Sequence, residues 1–436
     1  MNLFLILFGK IFIFLSSFLN LGSGSTWPGH IALSINENFL KDTLAKRKFK
    51  IILVAGTNGK TTTSKLIKDI LEKSGKRVFK NESGANLING VASSIINNSD
   101  MLEKLNYDFA IFEIDENTLP ILMQSVSADF IICLNLFRDQ LDRYGEVNTI
   151  SEKWKKAFWK LPKKTKLIFN ADDPQIAALG RDVKLNVYYF GLDEKPHYKN
   201  LQHASDSIYC PLCNSRLSYE TIYFSHLGKW KCESCEYSRP DLYISKLGKY
   251  PLPGTYNKYN ALGAVLVARL LKIDAKQINI ALKEFTPAFG RQEIVEYKNK
   301  KIQIFLSKNP ASFNQSLSAI NELKAKHLLL VLNDRIPDGR DISWIWDVDF
   351  EDNLKNFKRI SVSGDRVYDM ALRIKYSENG KWQMANGKSE IKIYENLKEA
   401  VEKVISNISK DEILYVLPTY SAMLDLRKIL TGKSIL

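Results

Sequence analysis

An apolar run that leads straight into a glycine-rich turn and then into a helix-like segment constrains this 436-residue chain more than any other feature. Residues 51–55 are apolar, Gly56–Thr61 supply the turn, and residues 64–76 resemble a helix. The pattern predicts a strand, a phosphate-binding loop and a helix. Because glycines let the backbone approach an anion, and free amides at a helix N-terminus point towards it, we expect this segment to bind nucleotide phosphates.

Two side chains of the loop have predicted roles of their own. Lys60 supplies a point charge for the β- and γ-phosphates, and Thr61 would bind Mg²⁺. The usual loop has a further glycine, which would stand at position 54, whereas this chain has Val54 and the shorter spacing GxxGKT. The chain is therefore expected to use ATP with Mg²⁺. The other residues assigned to the nucleotide are Gly56, Thr57, Asn58, Gly59 and Thr62.

Strands and helices alternate after this loop, which predicts an α/β fold with a central parallel sheet. Residues 109–116 and 129–135 each read as a buried strand that ends in polar residues. Ligand groups collect at the carboxyl ends of such strands. We predict three parts: an apolar lead-in at 1–48, a central ATP-binding domain at 49–293, and a smaller, Rossmann-like C-terminal α/β domain at 294–436.

A cysteine cluster interrupts the alternation between about residues 205 and 240. Two CxxC pairs stand eighteen residues apart, a spacing typical of four thiolates around tetrahedral zinc. Two disulfides or four idle thiols are the alternative, and a cytoplasmic setting disfavours disulfides. A four-ligand site is closed, so we predict structural zinc that contributes on the order of 10 kcal/mol to folding. The four predicted zinc ligands are Cys210, Cys213, Cys232 and Cys235.

The first 21 residues are strongly apolar and aromatic, and Lys10 interrupts them. A helix packed on the protein or lying at a membrane surface is favoured over a cleaved signal peptide or a spanning helix. Because ATP chemistry belongs in the cytoplasm, we expect a cytoplasmic location. Peripheral contact with the inner face of the cell membrane stays open.

The formal charge of +14 permits anionic partners, but the basic residues are scattered rather than clustered. An electrostatic role and simple lysine enrichment therefore both stay open. Basic and aromatic residues near the cysteines, such as Lys229 and Trp230, are diffuse. A zinc-ribbon ATPase that binds nucleic acid is an alternative, but no nucleic-acid partner is expected.

Taken together, these motifs resemble the Mur ligase family, ATP-dependent enzymes that join a carboxylate to an amine through an acyl phosphate. Gly56–Thr61 is similar to that family's phosphate loop, and Glu113 stands where the family has a magnesium-binding glutamate. The resemblance also implies that Asn170 contacts adenine, that Asn257 lies on the ATP side and that Arg291 is the linker arginine.

A closer resemblance, from Gly22 to Leu430, is to the MurT family, the synthetase subunits of lipid II isoglutaminyl synthases. It implies amidation of the α-carboxylate of D-glutamate in lipid II, with ammonia from a GatD-like glutaminase in a heterodimer. Besides the cysteine insertion, the resemblance rests on residues 135–146, 308–315, 338–351 and 417–424.

The cysteines and histidines give a separate reason to expect a second polypeptide. A glutaminase needs an activated cysteine paired with a histidine. Four of the five cysteines belong to the predicted zinc site, and the fifth, Cys133, lies in an apolar strand. A buried thiol is normally inert. The chain is therefore expected to receive ammonia rather than to release it from glutamine.

In residues 341–351, Trp344 and Trp346 alternate with small or aliphatic residues, and the segment ends at Asp347, Asp349 and Glu351, which predicts an extended segment with these carboxylates on one face. The family resemblance suggests that one carboxylate orients the catalytic histidine of the partner. Asp349 is the first choice and Asp347 the second; a polar strand end with buried tryptophans is the alternative.

A second enzymatic interpretation is a Mur-type or folylpolyglutamate-type ligase that adds an amino acid instead of ammonia. It would share every residue on the ATP side. The cysteine insertion and the C-terminal motifs distinguish the two interpretations, because neither is expected in amino-acid ligases.

Overall fold

A computed structural model describes residues 2–432 of the chain, except 19–25, 46, 83, 140–146, 196, 199, 289, 356, 358 and 378–389. Two parts of the MurT-like region, its beginning at Gly22 and the second half of the segment 135–146, therefore lie outside the described residues.

The central sheet is parallel, with the strand order β2-β3-β1-β4-β5-β6. β1 lies in its interior and is buried from Ile51 to Ala55, as expected for a strand that is covered on both faces. Ile52 and Val54 belong to one hydrophobic cluster and Ile51 and Leu53 to another, one on each face. The strands are β1 (Lys50–Ala55), β2 (Val78–Lys80), β3 (Phe109–Ile114), β4 (Phe130–Cys133), β5 (Lys166–Asn170) and β6 (Asn186–Phe190).

Helices cover both faces of this sheet. The helix that follows the phosphate loop, α4, packs against α9 and α10, which come much later in the chain. The helices of this domain are α1 (Asn2–Phe18), α2 (Trp27–Ile35), α3 (Phe39–Leu44), α4 (Lys60–Lys73), α5 (Ile88–Asn98), α6 (Thr118–Ser125), α7 (Val147–Phe158), α8 (Pro174–Leu179), α9 (Thr255–Leu270) and α10 (Ala275–Glu284).

The apolar N-terminal segment forms α1, which packs against α2 and α5. Its buried side chains include Leu5 and Ile6, which join the core on one face of the central sheet. Nowhere in the described ranges is a helix long and apolar enough to cross a membrane.

The cysteine insertion contains an antiparallel hairpin of β7 (Leu217–Phe224) and β8 (Leu227–Cys232). Trp230 Nε1 donates a hydrogen bond of 3.1 Å to the carbonyl of Ala171, just after β5. Arg239 Nε lies 2.7 Å from Asp172 Oδ1, and Tyr259 donates to the other carboxylate oxygen of Asp172 at 2.7 Å. The insertion is thereby joined to the central sheet and to α9.

The C-terminal sheet has the strand order β13-β12-β11-β14-β10-β9 and is parallel except for the β9–β10 pair. Its strands are β9 (Arg291–Tyr297), β10 (Lys300–Phe305), β11 (His327–Val331), β12 (Arg359–Ser363), β13 (Glu390–Ile393) and β14 (Ile413–Pro418). Its helices are α11 (Pro310–Glu322), α12 (Phe350–Asn353), α13 (Val367–Tyr376), α14 (Leu397–Ser406) and α15 (Tyr420–Thr431).

The predicted fold class is confirmed. The chain forms a central parallel sheet, a cysteine-bearing insertion and a smaller C-terminal α/β domain. The division at residues 48/49 and 293/294 stays a prediction.

The expectation of an extended segment at 341–351 is wrong. Ser343–Asp347 form a 3₁₀ helix and Phe350–Asn353 a short α-helix. The apparent alternation failed as a guide because burial of Ile345 and Val348 in the C-terminal core sets the local conformation. Trp346 is 51% exposed, so the alternative with buried tryptophans is also wrong for this residue.

The Arg239–Asp172 pair gives a test of how the insertion is held. Arg239→Met should lower the melting temperature, because losing one partner of a buried ion pair costs about 3–5 kcal/mol. Burial raises the pKa of Asp172 to about 6 even with Arg239 opposing it. A raised folded-state pKa costs stability as the pH rises from the ordinary pKa of the carboxyl to the raised one. Without Arg239, which lowers the pKa of Asp172, this pKa should rise further, so the variant goes on losing stability above about pH 6 and the loss should be larger at about pH 8 than at about pH 5.

Lys231→Met is the matched control, because the Lys231–Glu233 pair is exposed and exposed pairs contribute little. Thermal unfolding monitored by intrinsic fluorescence at both pH values measures the difference. Equal losses in the two variants would contradict the structural role of Arg239.

Candidate active site

The phosphate loop joins β1 to the first residue of α4, Lys60. Gly59 has a φ of 92°, and a Cβ atom at this position would lie 2.1 Å from Asn260 Oδ1. Glycine is therefore required for two reasons: the backbone is left-handed here, and α9 leaves no room for a Cβ atom. The loop predicted from the sequence thus packs directly against the helix that carries Asn257 and Asn260.

The residues after β4 hold this loop in place. The amide of Thr57 donates to the carbonyl of Asn135 at 3.0 Å, and the amide of Asn58 donates to Asn135 Oδ1 at 2.9 Å. Asn135 Nδ2 returns a hydrogen bond of 3.1 Å to the carbonyl of Asn58. Thr57 Oγ1 accepts from the amide of Phe137 at 3.0 Å. The loop is fixed without using the side chain of Thr61.

Four charged side chains, two buried carboxylates and two partly buried lysines, form a row beside the loop. Lys60 Nζ lies 3.2 Å from Glu116 Oε2, and the ammonium of Lys308 pairs with the carboxylate of Asp139. Burial alone would raise the pKa of Glu116, but Lys60 and Lys308 outweigh it and lower this pKa. Burial also raises the pKa of Asp139 against the opposing effect of Lys308. The row contributes two cations where phosphates are expected to bind.

Glu113 is suited to a cation. Its carboxylate is buried near the end of β3, and the one hydrogen bond it makes within the described ranges comes from Ser64 Oγ at 3.5 Å. Asn81 fixes the backbone, because its Oδ1 accepts from the amide of Glu113 and its Nδ2 donates to the carbonyl, both at 2.9 Å. Ser64 Oγ also donates to the carbonyl of Thr61 at 3.0 Å, so Ser64 links the two predicted ligands. A nearly unpaired buried carboxylate in this position fits a magnesium ligand set.

A cleft with an empty volume of about 720 Å³ opens beside the loop, between the two sheets. Burial lowers the pKa of Arg291, while Glu113 opposes this, and the residue stays a cation because a guanidinium is not deprotonated in proteins. Asn257 donates to the carbonyl of Pro253 at 2.7 Å and also borders the cleft. The lining includes Asn58, Gly59, Thr61, Thr62, Asn257 and Arg291. The cleft therefore brings most of the predicted nucleotide-binding residues together.

Asn170 lies elsewhere. Its side chain is fully buried, Nδ2 donates to the carbonyl of Leu134 at 2.9 Å, and Oδ1 accepts from the amide of Asp172 at 3.1 Å. It does not belong to the lining of the cleft. The observed contacts give Asn170 a role in holding the ends of β4 and β5, and its contact with adenine stays a prediction.

A second cleft, of about 680 Å³, adjoins the charged row. Asp139 and Lys308 line it on one side, and Asp338, Trp344 and Asp347 line it on the other. The 41% exposed side chain of Asp347 lies 3.4 Å from a guanidinium nitrogen of Arg138. Asn309, which also lines this cleft, donates to Asn58 Oδ1 of the phosphate loop at 3.4 Å, so the cleft adjoins the loop as well as the partly exposed Asp347.

Asp349 does not share a face with Asp347. One carboxylate oxygen accepts a 2.6 Å hydrogen bond from Asn314, and the other lies 2.6 Å from His203 Nδ1. Burial raises the pKa of Asp349, and His203 opposes the rise. The imidazole of His203 is 78% exposed, whereas the carboxylate side chain is only 9% exposed. Asp349 thus forms an aspartate–histidine pair whose histidine faces solvent.

The four cysteines of the insertion converge as predicted. Their Sγ atoms all lie within 4.8 Å of one another. The pairs Cys210–Cys235 and Cys213–Cys232 have Sγ separations of 3.6 and 3.4 Å. Tetrahedral zinc with Zn–S bonds of about 2.3 Å places sulfur atoms about 3.8 Å apart. The cluster therefore fits zinc, and the thiols are not joined in disulfides.

Sequence reasoning assigned no role to Glu116, Asp139 or Lys308. The available signals were the position of Glu116 just after the strand with Glu113 and the occurrence of Asp139 and Lys308 in MurT-like segments. His203 gave no signal at all, because it lies 146 residues from Asp349.

The chain matches two known protein families. Residues 54–268 match the Mur ligase middle domain, and residues 306–423 match the MurT ligase C-terminal family. The first match contains the phosphate loop and the cysteine insertion, and the second contains Lys308, Asp347 and Asp349.

A solved structure shares the fold. The pseudomurein peptide ligase type C from Methanothermus fervidus superposes with a TM-score of 0.65 at 24% identity, covering 90% of this chain and 81% of the other. At this level of identity the similarity shows the fold alone.

Two curated relatives carry the name lipid II isoglutaminyl synthase (glutamine-hydrolyzing) subunit MurT. The protein from Staphylococcus aureus strain COL is 34% identical, over 81% of this chain and 83% of its own length. The protein from Streptococcus pneumoniae R6 is 33% identical, over 95% of this chain and 94% of its own length. Identity at this level over most of both chains shows that this protein belongs to the MurT family, within the ATP-dependent amide-bond ligases of peptidoglycan synthesis.

Proposed function

We propose that the protein amidates the α-carboxylate of D-glutamate in lipid II to D-isoglutamine, using ATP and ammonia from a GatD-like glutaminase. The two curated relatives are named as subunits of a glutamine-hydrolyzing lipid II isoglutaminyl synthase. The observation that carries the proposal is the cleft beside the phosphate loop, where loop residues and Arg291 face the same space.

The chemistry explains why ATP is needed. A carboxylate cannot lose oxide, so its oxygen first attacks the γ-phosphorus of ATP and ADP leaves. Ammonia then attacks the resulting acyl phosphate and phosphate leaves. Lys60, the loop amides and Arg291 offset the charge of the transferring phosphoryl group and hold it in line. Mg²⁺ bound by Thr61 and Glu113 would neutralise phosphate oxygens.

The proposed source of nitrogen rests on the cysteine–histidine pair that a glutaminase needs. Throughout the described residues, no cysteine is hydrogen-bonded to a histidine. Burial raises the pKa of the Cys133 thiol well above its ordinary value, with Asp173 adding to the rise. A thiol with a raised pKa is a poor nucleophile at neutral pH. Ammonia therefore comes from a second polypeptide in this proposal.

The surface around Asp347 suits the glutaminase. Trp346 is 51% exposed and Tyr376 is 64% exposed, with ring centroids 6.4 Å apart, and exposed aromatic pairs are typical of interface centres. Asp347 follows Trp346 in sequence. Asp349 would act by exchanging its exposed partner His203 for the catalytic histidine of the glutaminase, whereas the present partner of Asp347 is Arg138. The second cleft offers a path for ammonia to the phosphate loop.

The cysteine cluster is proposed to hold one structural zinc ion. The site is closed by four thiolates and lies in an insertion that touches β5 through Trp230 and Arg239. A cytoplasmic location is proposed because the reaction consumes ATP.

Replacing the loop lysine tests the ATP chemistry. Lys60→Ala should lower ammonium-dependent amidation about 10³-fold, as expected for the loss of a cation at the transferring phosphoryl group. Lys68→Ala on the same helix removes only a surface partner of Glu72 and should keep activity. Product formation by mass spectrometry measures both. Retained turnover in Lys60→Ala would contradict the assigned role of the loop.

Replacing the two aspartates separates ammonia supply from ligation. In the complex with the glutaminase, Asp349→Asn should lower glutamine-dependent amidation about 10²–10⁴-fold, the range for losing acid–base function, while ammonium-dependent amidation is kept. Asp347→Asn is the comparison variant, because Asp347 is the second candidate for the carboxylate that orients the histidine of the partner. Equal loss with both nitrogen sources would place the residue in the synthetase site, and a defect confined to Asp347→Asn would move the role there.

Metal analysis tests the cluster. We expect one zinc ion per chain, and Cys210→Ser should lose zinc and melt at a lower temperature, because metal binding contributes to folding. Cys133→Ala removes a cysteine outside the cluster and should keep the zinc. Protein that folds fully without zinc would contradict the structural assignment.

A further inference from the structure

Helix α1 is apolar on the face that meets solvent as well as on the face that meets the protein. Phe4, Phe8, Ile11 and Leu15 are 68%, 43%, 58% and 48% exposed. Their spacing of four, three and four residues places them in one stripe along the helix. The rings of Phe4 and Phe8 stack with centroids 6.3 Å apart. We call these four side chains the outer stripe.

The opposite face of α1 is committed to the protein. Gly9 lies so close to the neighbouring helices that a Cβ atom there would be 2.8 Å from Ile96 Cγ2 and 3.3 Å from Pro28 Cβ. Asn2 Nδ2 donates to Thr43 Oγ1 at 3.2 Å, near one end of the helix. The helix is therefore a packed part of the domain, and its outer stripe points away from the domain.

Segments that adjoin α1 carry further exposed apolar side chains. Lys10 Nζ donates to the carbonyl of Asn97 at 3.2 Å, which brings the end of α5 to the flank of α1. Shortly after Asn97, Met101 and Leu102 are 65% and 68% exposed. Trp27, at the start of α2, is 61% exposed. Groups of exposed apolar side chains mark protein or membrane contacts.

We infer that the outer stripe lies in the interfacial region of a lipid bilayer and carries the enzyme to a lipid-linked substrate, an inference that rests on the proposed function for the substrate. A helix of 17 residues is about 25 Å long, which is shorter than the hydrocarbon core, and one face is already packed. The helix can therefore lie in the interface but cannot span the bilayer.

Three further observations favour lipid over another protein as the occupant. Lys10 is the only charged residue between positions 2 and 18, and its ammonium donates to the carbonyl of Asn97, so the outer stripe itself carries no charge. Trp27 adds the aromatic residue that is enriched at this depth. The net charge of +14 complements the anionic surface of a bacterial membrane.

Helix α5 connects this surface to the site. Its last residues hold Lys10, and the carbonyl of Asn86, just before its first residue, accepts from the amide of Asp115 at 3.0 Å. The helix has 11 residues and is about 16 Å long. Asp115, which follows the strand that carries Glu113, thus lies about one helix length from Lys10 of α1. We infer that this span is within reach of a peptide attached to a lipid headgroup.

Flotation of the purified full chain with vesicles tests the inference. Wild-type protein should float with vesicles of phosphatidylglycerol and phosphatidylcholine in equal amounts, and Phe4→Gln/Phe8→Gln/Ile11→Gln should bind at least about tenfold more weakly, given the apolar area removed. Glutamine is a good helix former, so α1 should be kept. Trp159→Gln/Leu323→Gln, which removes exposed apolar side chains elsewhere, should float like the wild type.

Ammonium-dependent amidation, measured in parallel, distinguishes the two claims. The triple variant should keep activity on a water-soluble, short-chain substrate and show a raised KM for substrate in vesicles. Amidating wild-type protein that does not float, or a triple variant that floats normally, would overturn the inference. A dimer that the triple variant abolishes, without vesicle binding, would overturn it in favour of a second copy. Flotation without any amidation would support the membrane contact and refute the proposed function.

Discussion

The partly buried ammonium groups of Lys60 and Lys308, each paired with a buried carboxylate, are the constraint on which the arrangement of the site depends. Lys60 belongs to the phosphate loop and Lys308 to the C-terminal part of the chain, but the carboxylates beside them, Glu116 and Asp139, both follow strands of the central sheet. A buried charge that loses its partner costs several kcal/mol. Moving the C-terminal domain away would leave Asp139 without its cation, so this pair favours the closed arrangement.

The same charges prepare the site for phosphate. Lys60 is held by Glu116 and by the carbonyls of Gly56 and Thr57, and a triphosphate would offer it a stronger anionic partner. Asn135 fixes the backbone of Thr57 and Asn58 through its own carbonyl and its side chain. Contacts within the protein therefore position the charge of Lys60, and a preorganised charge is the condition under which electrostatic stabilisation of a transition state is most effective.

Features that depend on neighbours in sequence could be predicted, and features that depend on distant contacts could not. The strand, loop and helix around Lys60 and the convergence of the cysteine pairs follow from local spacing. The Lys308–Asp139 pair joins residues 169 positions apart, and no local pattern reports it. Residues 343–347 look alternating in sequence, but packing of Ile345 against the C-terminal core turns them into a 3₁₀ helix.

The path of one oxygen atom tests the central claim, that this chain activates a carboxylate as an acyl phosphate in the cleft beside Lys60. The measurement uses lipid II whose D-glutamate α-carboxylate carries ¹⁸O in both oxygens, with ATP and ammonium. If the carboxylate attacks the γ-phosphorus and ammonia then displaces phosphate, each amide formed should release one phosphate that contains one ¹⁸O atom. Mass spectrometry of the phosphate reads the result directly. Amide formation with unlabelled phosphate would contradict the account.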